Sequence, residues 1–171
     1  MMRPWVRRLL QILLVAFVAA QFFPIRKDNP AVDPAQTLYA ASAVPPNVHA
    51  VLERSCRDCH SNETVWPWYS HLAPVSWLIA NDVYEGRKHF SISEWNTYPE
   101  EKKVRKLGEL CEQVKTGEMP DEKYTLVHRG TSLSADEKAM LCSWTESAKR
   151  AMTRPPAATP STSKGAPEGG Q

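Results

Sequence analysis

Five consecutive residues of this 171-residue chain, Cys56-Arg57-Asp58-Cys59-His60, place two thiols and an imidazole at the spacing used for covalent attachment of haem. Two thiols about one helical turn apart can reach two vinyl groups on one porphyrin edge, and the imidazole next to them is brought beneath the iron. A thioether does not dissociate as an axial ligand does, so the cofactor would stay with an exported protein. Two other uses of the thiols compete. A structural zinc site wants four ligands, usually with a second close pair, but Cys111 and Cys142 stand as separate single residues. A dithiol redox site wants a βαβ setting that the flanking sequence lacks. One covalent haem c is the leading expectation, with zinc or dithiol chemistry as the alternatives.

The second axial position has one leading candidate. Gly117-Glu118-Met119-Pro120 sets Met119 in a loop where no helical face claims it for the core. A thioether opposite His favours ferrous iron and raises the reduction potential, and Pro120 would stiffen the loop. His71, His89 and His128 are rivals, His128 the serious one because it follows the Met loop, while His49 points an uncertain way. Trp66, Trp68 and Tyr69 are expected near the haem edge, where indole N–H or phenol O–H groups can donate to a propionate. Ordinary packing is the competing account of each.

The rest of the chain must export and hold these groups. Arg3, Arg7 and Arg8 precede an apolar run from Leu9 to Ile25. Positive charge before such a run keeps the N-terminus cytoplasmic and sends the downstream chain across the membrane. The run is short for a span and long for a cleaved signal core. Val18-Ala19-Ala20 could be cut, yet Gln21-Phe22-Phe23-Pro24 makes a poor site. Residues 1–25 are therefore expected as a transmembrane signal-anchor in the bacterial inner membrane. Residues 26–46, interrupted by Pro30, Pro34, Pro45 and Pro46, read as a tether with little core. Residues 47–152 form the haem domain, and 153–171, rich in Pro, Ala, Ser, Thr and Gly, cannot bury enough apolar surface to order itself. A net charge of +2 is too small to suggest nucleic acid.

Helical periodicity organises the domain. Val48, Val51, Leu52 and Ser55 recur at helical spacing just before the motif, after Asn47 as a possible cap. Pro74 looks like a first helical position, Val75, Leu78, Ile79 and Val83 like a buried stripe, and Gly86 like a terminator. Ser91 to Glu94 supports only a short turn. Pro99-Glu100-Glu101 opens the longest helix, with Val104, Leu107, Cys111 and Val114 on one face and Gly117 closing it. Ser134 and Glu137 form a capping-box pair before a last helix whose buried face is Met140, Leu141, Trp144, Ala148 and Ala151. No segment alternates as a strand does. The expected fold is all-α, a small cytochrome c-like domain around one covalent haem.

The block Cys56-Arg57-Asp58-Cys59-His60-Ser61-Asn62-Glu63-Thr64-Val65-Trp66-Pro67-Trp68-Tyr69-Ser70 resembles the bacterial haem-binding domain family of small cytochrome c-like proteins. So do Ala73 to Leu78, Glu85-Gly86-Arg87, Gly117 to Pro120, Tyr124, His128, Leu133-Ser134 before the Trp144 helix, and the stretch from Gln21 to Pro30. The resemblance implies a membrane-anchored periplasmic c-type cytochrome, its haem carried by Cys56, Cys59 and His60 with Met119 as distal ligand. It names a cofactor and no substrate. Single-electron transfer to or from membrane or periplasmic redox proteins is the expected function. A haem sensor with a displaceable Met119, or a peroxidase using His128, is the alternative. No proton donor or nucleophile arrangement near the motif supports an enzyme directly. In an oxidising compartment Cys111 and Cys142 are expected to pair.

Overall fold

Proline and glycine cut the chain into helices whose apolar faces can meet only if the chain doubles back on itself. The computed structural model describes residues 3–154, so all of the expected disordered tail beyond Arg154 lies outside the described residues. Among those residues there are eight α-helices, three short 3-10 turns and no strand. The helices are α1 (Pro4–Ala20), α2 (Leu38–Ala41), α3 (Pro46–Ser55), α4 (Arg57–His60), α5 (Val75–His89), α6 (Glu100–Thr116), α7 (Glu122–Val127) and α8 (Ala135–Thr153).

The core forms where α3, α6 and α8 meet. Val48, Val51, Leu52 and Ser55 are the buried residues of α3, the same four that its spacing picks out. From α6 come Leu107, Cys111 and Val114, with Val104 half-buried, and from α8 come Leu141, Cys142, Trp144 and Thr145. A disulfide joins Cys111 to Cys142 and ties α6 to α8, as expected. Gly117 takes a φ of +81° and ends α6 in the left-handed conformation that glycine adopts without a Cβ penalty. Ser134 and Glu137 complete the capping box: the Glu137 N–H donates to Ser134 Oγ at 3.2 Å, and the Ser134 N–H donates to Glu137 Oε2 at 2.9 Å. Trp95 is fully buried from a loop that helical periodicity does not reach.

Two expectations change. The apolar run does not become one spanning helix: α1 ends at Ala20, Gln21 to Phe23 turn away, and its early turns carry Arg7 and Arg8. Its 17 residues extend about 26 Å, short of a hydrocarbon core of about 30 Å. No helix of the described residues is long and apolar enough to cross a membrane.

The supposed tether is a strap bound along the domain. Leu38 is wholly buried in the core, and its N–H donates to Ile92 O at 2.8 Å. Asn29 Nδ2 donates to Thr64 O at 2.9 Å, Tyr39 Oη to Glu53 at 2.8 Å, and Asn96 Nδ2 to Ala35 O at 2.8 Å. Prolines stop this segment from forming a long helix, but they do not stop an extended chain from bonding to a neighbour.

Candidate functional site

The two-cysteine motif sits on the joint between α3 and α4. The Cys56 N–H closes α3 on Leu52 O at 3.0 Å, and the Cys56 carbonyl receives the His60 N–H at 3.0 Å. One turn of helix therefore separates the two thiols. Both are free, and burial pushes Cys56 up to about 12 and Cys59 up to about 11, the latter helped by the Asp58 charge. Burial therefore favours the neutral thiol over the thiolate at both positions.

His60 is oriented by the far end of α5. Its Nδ1 lies 3.0 Å from Gly86 O and 2.9 Å from Phe90 O. Carbonyls only accept, so Nδ1 carries the proton and Nε2 keeps its lone pair for a metal. Fixing the distant nitrogen in this way orients a ligating histidine and raises its basicity toward iron. Burial, the largest influence, lowers the imidazole pKa against the opposing pull of the two carbonyls.

Spacing alone misplaces Gly86. It lies inside α5, where the backbone of α4 presses against it: a Cβ there would meet Cys59 O at 2.5 Å. Glycine is required by close approach. The helix runs on to His89, and the Phe90 N–H bonds Gly86 O.

The buried residues of α5 are Ser76, Ala80 and Val83, and of the expected stripe only Val83 is among them. Val75 and Leu78 are exposed and Ile79 is half-buried. Val75, Ile79, Asp82 and Gly86 succeed one another along a single helical face, and Gly86 places that face against the motif. The periodicity thus finds an apolar stripe of which Val83 alone is buried, while the packed face of α5 is made by the small residues Ser76 and Ala80 together with Val83.

Arg87, one step on, is a hub. Its Nε donates to Ser61 O at 2.7 Å, Nη1 to Asp28 O at 2.8 Å, and Nη2 to Thr64 Oγ1 at 2.7 Å and Asn29 Oδ1 at 2.9 Å. One guanidinium thus joins α5, the residues after the motif and the strap. The Ile92 N–H adds a bond to His60 O at 2.7 Å.

The chain around Met119, the expected second ligand, leads into a segment that bonds to the motif. Met119 lies just past the α6 cap, is 38% exposed, and is held by its N–H on Gln113 O at 3.1 Å. The next residues form α7, started by Asp121, whose side chain accepts the Lys123 N–H at 2.7 Å. The Asp121 charge adds slightly to the upward push on the Cys59 thiol. Tyr124 Oη donates to Asp58 Oδ2 at 3.0 Å, within the motif itself.

Histidines other than His60 are committed elsewhere. His128 Nδ1 donates to Tyr124 O at 3.0 Å, which leaves Nε2 to accept the Tyr69 hydroxyl at 2.9 Å. Both nitrogens of the chief rival ligand are therefore engaged. Lys27 Nζ donates to His71 Nδ1 at 2.8 Å, His89 is exposed beside Glu85, and His49 lies against Tyr39. Among the aromatic candidates, Tyr69 spends its hydroxyl on His128, Trp66 is half-buried, and Trp68 is 76% exposed with its ring edge-on to Tyr69.

Residue chemistry and spacing alone do not reveal the roles of Asp58, Gly86, Arg87 and Tyr124. Glu85-Gly86-Arg87 and Tyr124 carry part of the family resemblance, which is the available signal; Asp58 offers none beyond its place between the cysteines. The residues are of the kind that could hold a haem covalently: two free thiols one turn apart and an imidazole with its Nδ1 proton pinned and Nε2 available.

A family model described as a haem-binding domain matches residues 15–147, more than half of the chain. No curated protein and no solved structure matches.

Proposed function

As this chain belongs to the haem-binding domain family, we propose that it is a c-type, single-electron carrier of the bacterial cell envelope. The observation that carries the reading is the pinning of His60 Nδ1 by two backbone carbonyls within a two-cysteine motif whose thiols are both free. Cys56 and Cys59 would hold one haem c by thioether bonds, and His60 would ligate its iron from one side. Met119 would supply the other ligand, a soft neutral sulfur that favours the reduced metal. A bound haem would supply one-electron chemistry through its ferric and ferrous states. The protein's part is to hold both axial groups through that change, so that the electron moves with little rearrangement.

The apolar N-terminal segment supports the setting. Leu9, Leu10, Ile12, Leu13, Leu14, Val15, Phe17 and Val18 of α1 are all exposed, as are Phe22 and Phe23 beyond it. Apolar surface on this scale calls for a non-aqueous neighbour. We place the domain in the periplasm at the outer face of the inner membrane, with this segment in contact with lipid and membrane or periplasmic redox proteins as partners.

A second reading, a haem sensor in which Met119 gives way to a small gas, draws on the 38% exposure of that side chain and its place in a loop. Peroxidase chemistry through His128 has less support, since both ring nitrogens already have partners. Potentiometric titration and carbon monoxide mixing on protein matured with its haem separate these. A carrier gives one reversible wave and slow or absent binding of carbon monoxide. Fast binding that Met119→Ala does not change would contradict both Met119 ligation and the carrier.

A further inference from the structure

We propose that Asp58 and Tyr124 are positioning residues: their hydrogen bond clasps the Met119 segment to the haem motif, with Tyr69 and His128 bracing the clasp. This rests on Met119 as the distal ligand.

The fixed half of the clasp is Asp58. Its carbonyl accepts the Thr64 hydroxyl at 2.7 Å, and its Oδ1 accepts the Val65 N–H at 3.2 Å. The first bond fixes the Asp58 backbone, and the second orients its carboxyl group and leaves Oδ2 for Tyr124 Oη at 3.0 Å. A phenol donating to a carboxylate is a charge-assisted bond, stronger than its neutral counterpart.

The held half is α7. It has six residues and none is buried. A helix of that length does not sustain itself in water, and with Tyr124 and Thr125 only half-buried and the rest exposed it has little apolar packing to hold it down. Side-chain bonds must therefore fix its position, and two of them do. Tyr124 bonds Asp58 across 66 residues of sequence, and Tyr69 bonds His128 across 59. The Tyr124 and His128 rings stack at 4.1 Å, so the two bonds brace each other.

Met119 lies between two supports. On one side its N–H bonds Gln113 O, at the capped end of α6. On the other, Pro120 and Asp121 lead directly into α7. Releasing α7 frees one end of the turn that carries the sulfur, while the cysteines and His60 keep their own contacts.

Tyr124→Phe removes the hydroxyl and keeps the ring stacked on His128. In matured protein it should weaken the far-red absorption band of sulfur-ligated ferric haem and speed carbon monoxide association about tenfold, the scale set by losing one charge-assisted bond. Haem should remain attached. Amide exchange in residues 117–128 should accelerate in both haem-loaded and haem-free protein. Asp58→Ala should reproduce these changes, and the double variant should add nothing to either single. Tyr69→Phe, which leaves the Asp58 bond in place, should move each readout the same way by less; it serves if Tyr124→Phe fails to mature. An unchanged band, association rate and exchange in Tyr124→Phe would overturn the clasp, as would additive effects in the double variant. Failure of the ligand assignment looks different: the wild type would lack the band and Met119→Ala would change nothing, while exchange in 117–128 would still report on the clasp.

Discussion

The two sides of the candidate site are built in opposite ways. On the His60 side, backbone does the holding: Gly86 O and Phe90 O fix the ring, the Ile92 N–H fixes the carbonyl, and α5 touches the motif without an intervening side chain. On the Met119 side, a short helix with no buried residue hangs on side-chain bonds. Backbone contacts between packed helices are hard to alter one at a time, whereas a hydroxyl-to-carboxylate bond is lost with a single atom. The contrast suits the proposed arrangement, in which the cofactor would be fixed on the His60 side and tuned from the Met119 side. It also predicts that lesions on the His60 side abolish the holoprotein, while lesions on the Met119 side leave it coloured and altered.

The largest effect is expected at Gly86. Gly86→Ala puts a methyl group 2.5 Å from Cys59 O, and the contact can be relieved only by moving α4 or α5. Overpacking of this kind costs about 1–3 kcal/mol where side chains can adjust; between two backbones the upper end applies, and the motif is displaced as well. Haem-stained gels should show little or no holoprotein. Normal yield would mean that the helices are not held together as tightly as the contrast requires.

Arg87→Ala should come next. It removes four donated bonds at once and leaves Ser61 O and Thr64 without their partner. A loss of about 3 kcal/mol in denaturant unfolding is expected, at the upper end for bonds from a charged donor. The strap should also become sensitive to protease near Asp28. Protection there unchanged would return residues 26–46 to the status of a tether.

The Cys111–Cys142 disulfide sharpens the comparison from outside the site. It closes a loop with a separation of 31 residues, worth on the order of 3 kcal/mol through the unfolded chain. Replacing both cysteines with Ser should lower the unfolding midpoint while leaving the visible spectrum intact, because the bond joins α6 to α8 within the core and involves none of the motif residues. A changed spectrum would show that the α6 end supporting Met119 depends on it.

The smallest effect is at the start of α8. Arg54, first, and the Ser134 N–H hold the Glu137 carboxyl down at about 2, against an ordinary value of 4.5. A depressed carboxylate contributes stability that is fully present above its unfolded pKa and is lost as the pH falls through its folded one. Glu137→Gln should therefore lower thermal stability slightly at neutral pH, with the difference from wild type shrinking between about pH 4.5 and about pH 2. Both members of the pair are partly open to water, so screening keeps the effect small. A difference that is the same at pH 7 and pH 2 would assign the effect to packing and not to charge.

Much of this design is visible in sequence wherever local rules decide it. The α3 face, the α6 face, the left-handed Gly117 and the Ser134–Glu137 box each depend on residues a few positions apart, whereas on α8 the spacing finds Leu141 and Trp144 but not the buried Cys142 and Thr145, and it wrongly includes Ala151, which is exposed. The same rules mislead at α5, where apolar spacing reports a face but not what covers it. They read the strap as a tether, because its prolines forbid a long helix and the burial of Leu38 depends on Ile92 and the Trp95 turn far along the chain. Gly86 reads as a helix end from spacing alone, since nothing local announces a second backbone pressing on it. The Asp58–Tyr124 bond, formed across 66 residues, has no local signature.

Denaturing electrophoresis of protein matured with the export and haem-attachment machinery, stained for haem and combined with a pyridine haemochrome spectrum, tests the central claim most directly. Colour should stay with the polypeptide, with the spectrum of a haem whose vinyl groups are both saturated, and Cys56→Ala with Cys59→Ala should release it. Pigment that washes out of the wild type while Cys56 and Cys59 remain open to alkylation would contradict covalent attachment and the electron-carrier reading built on it.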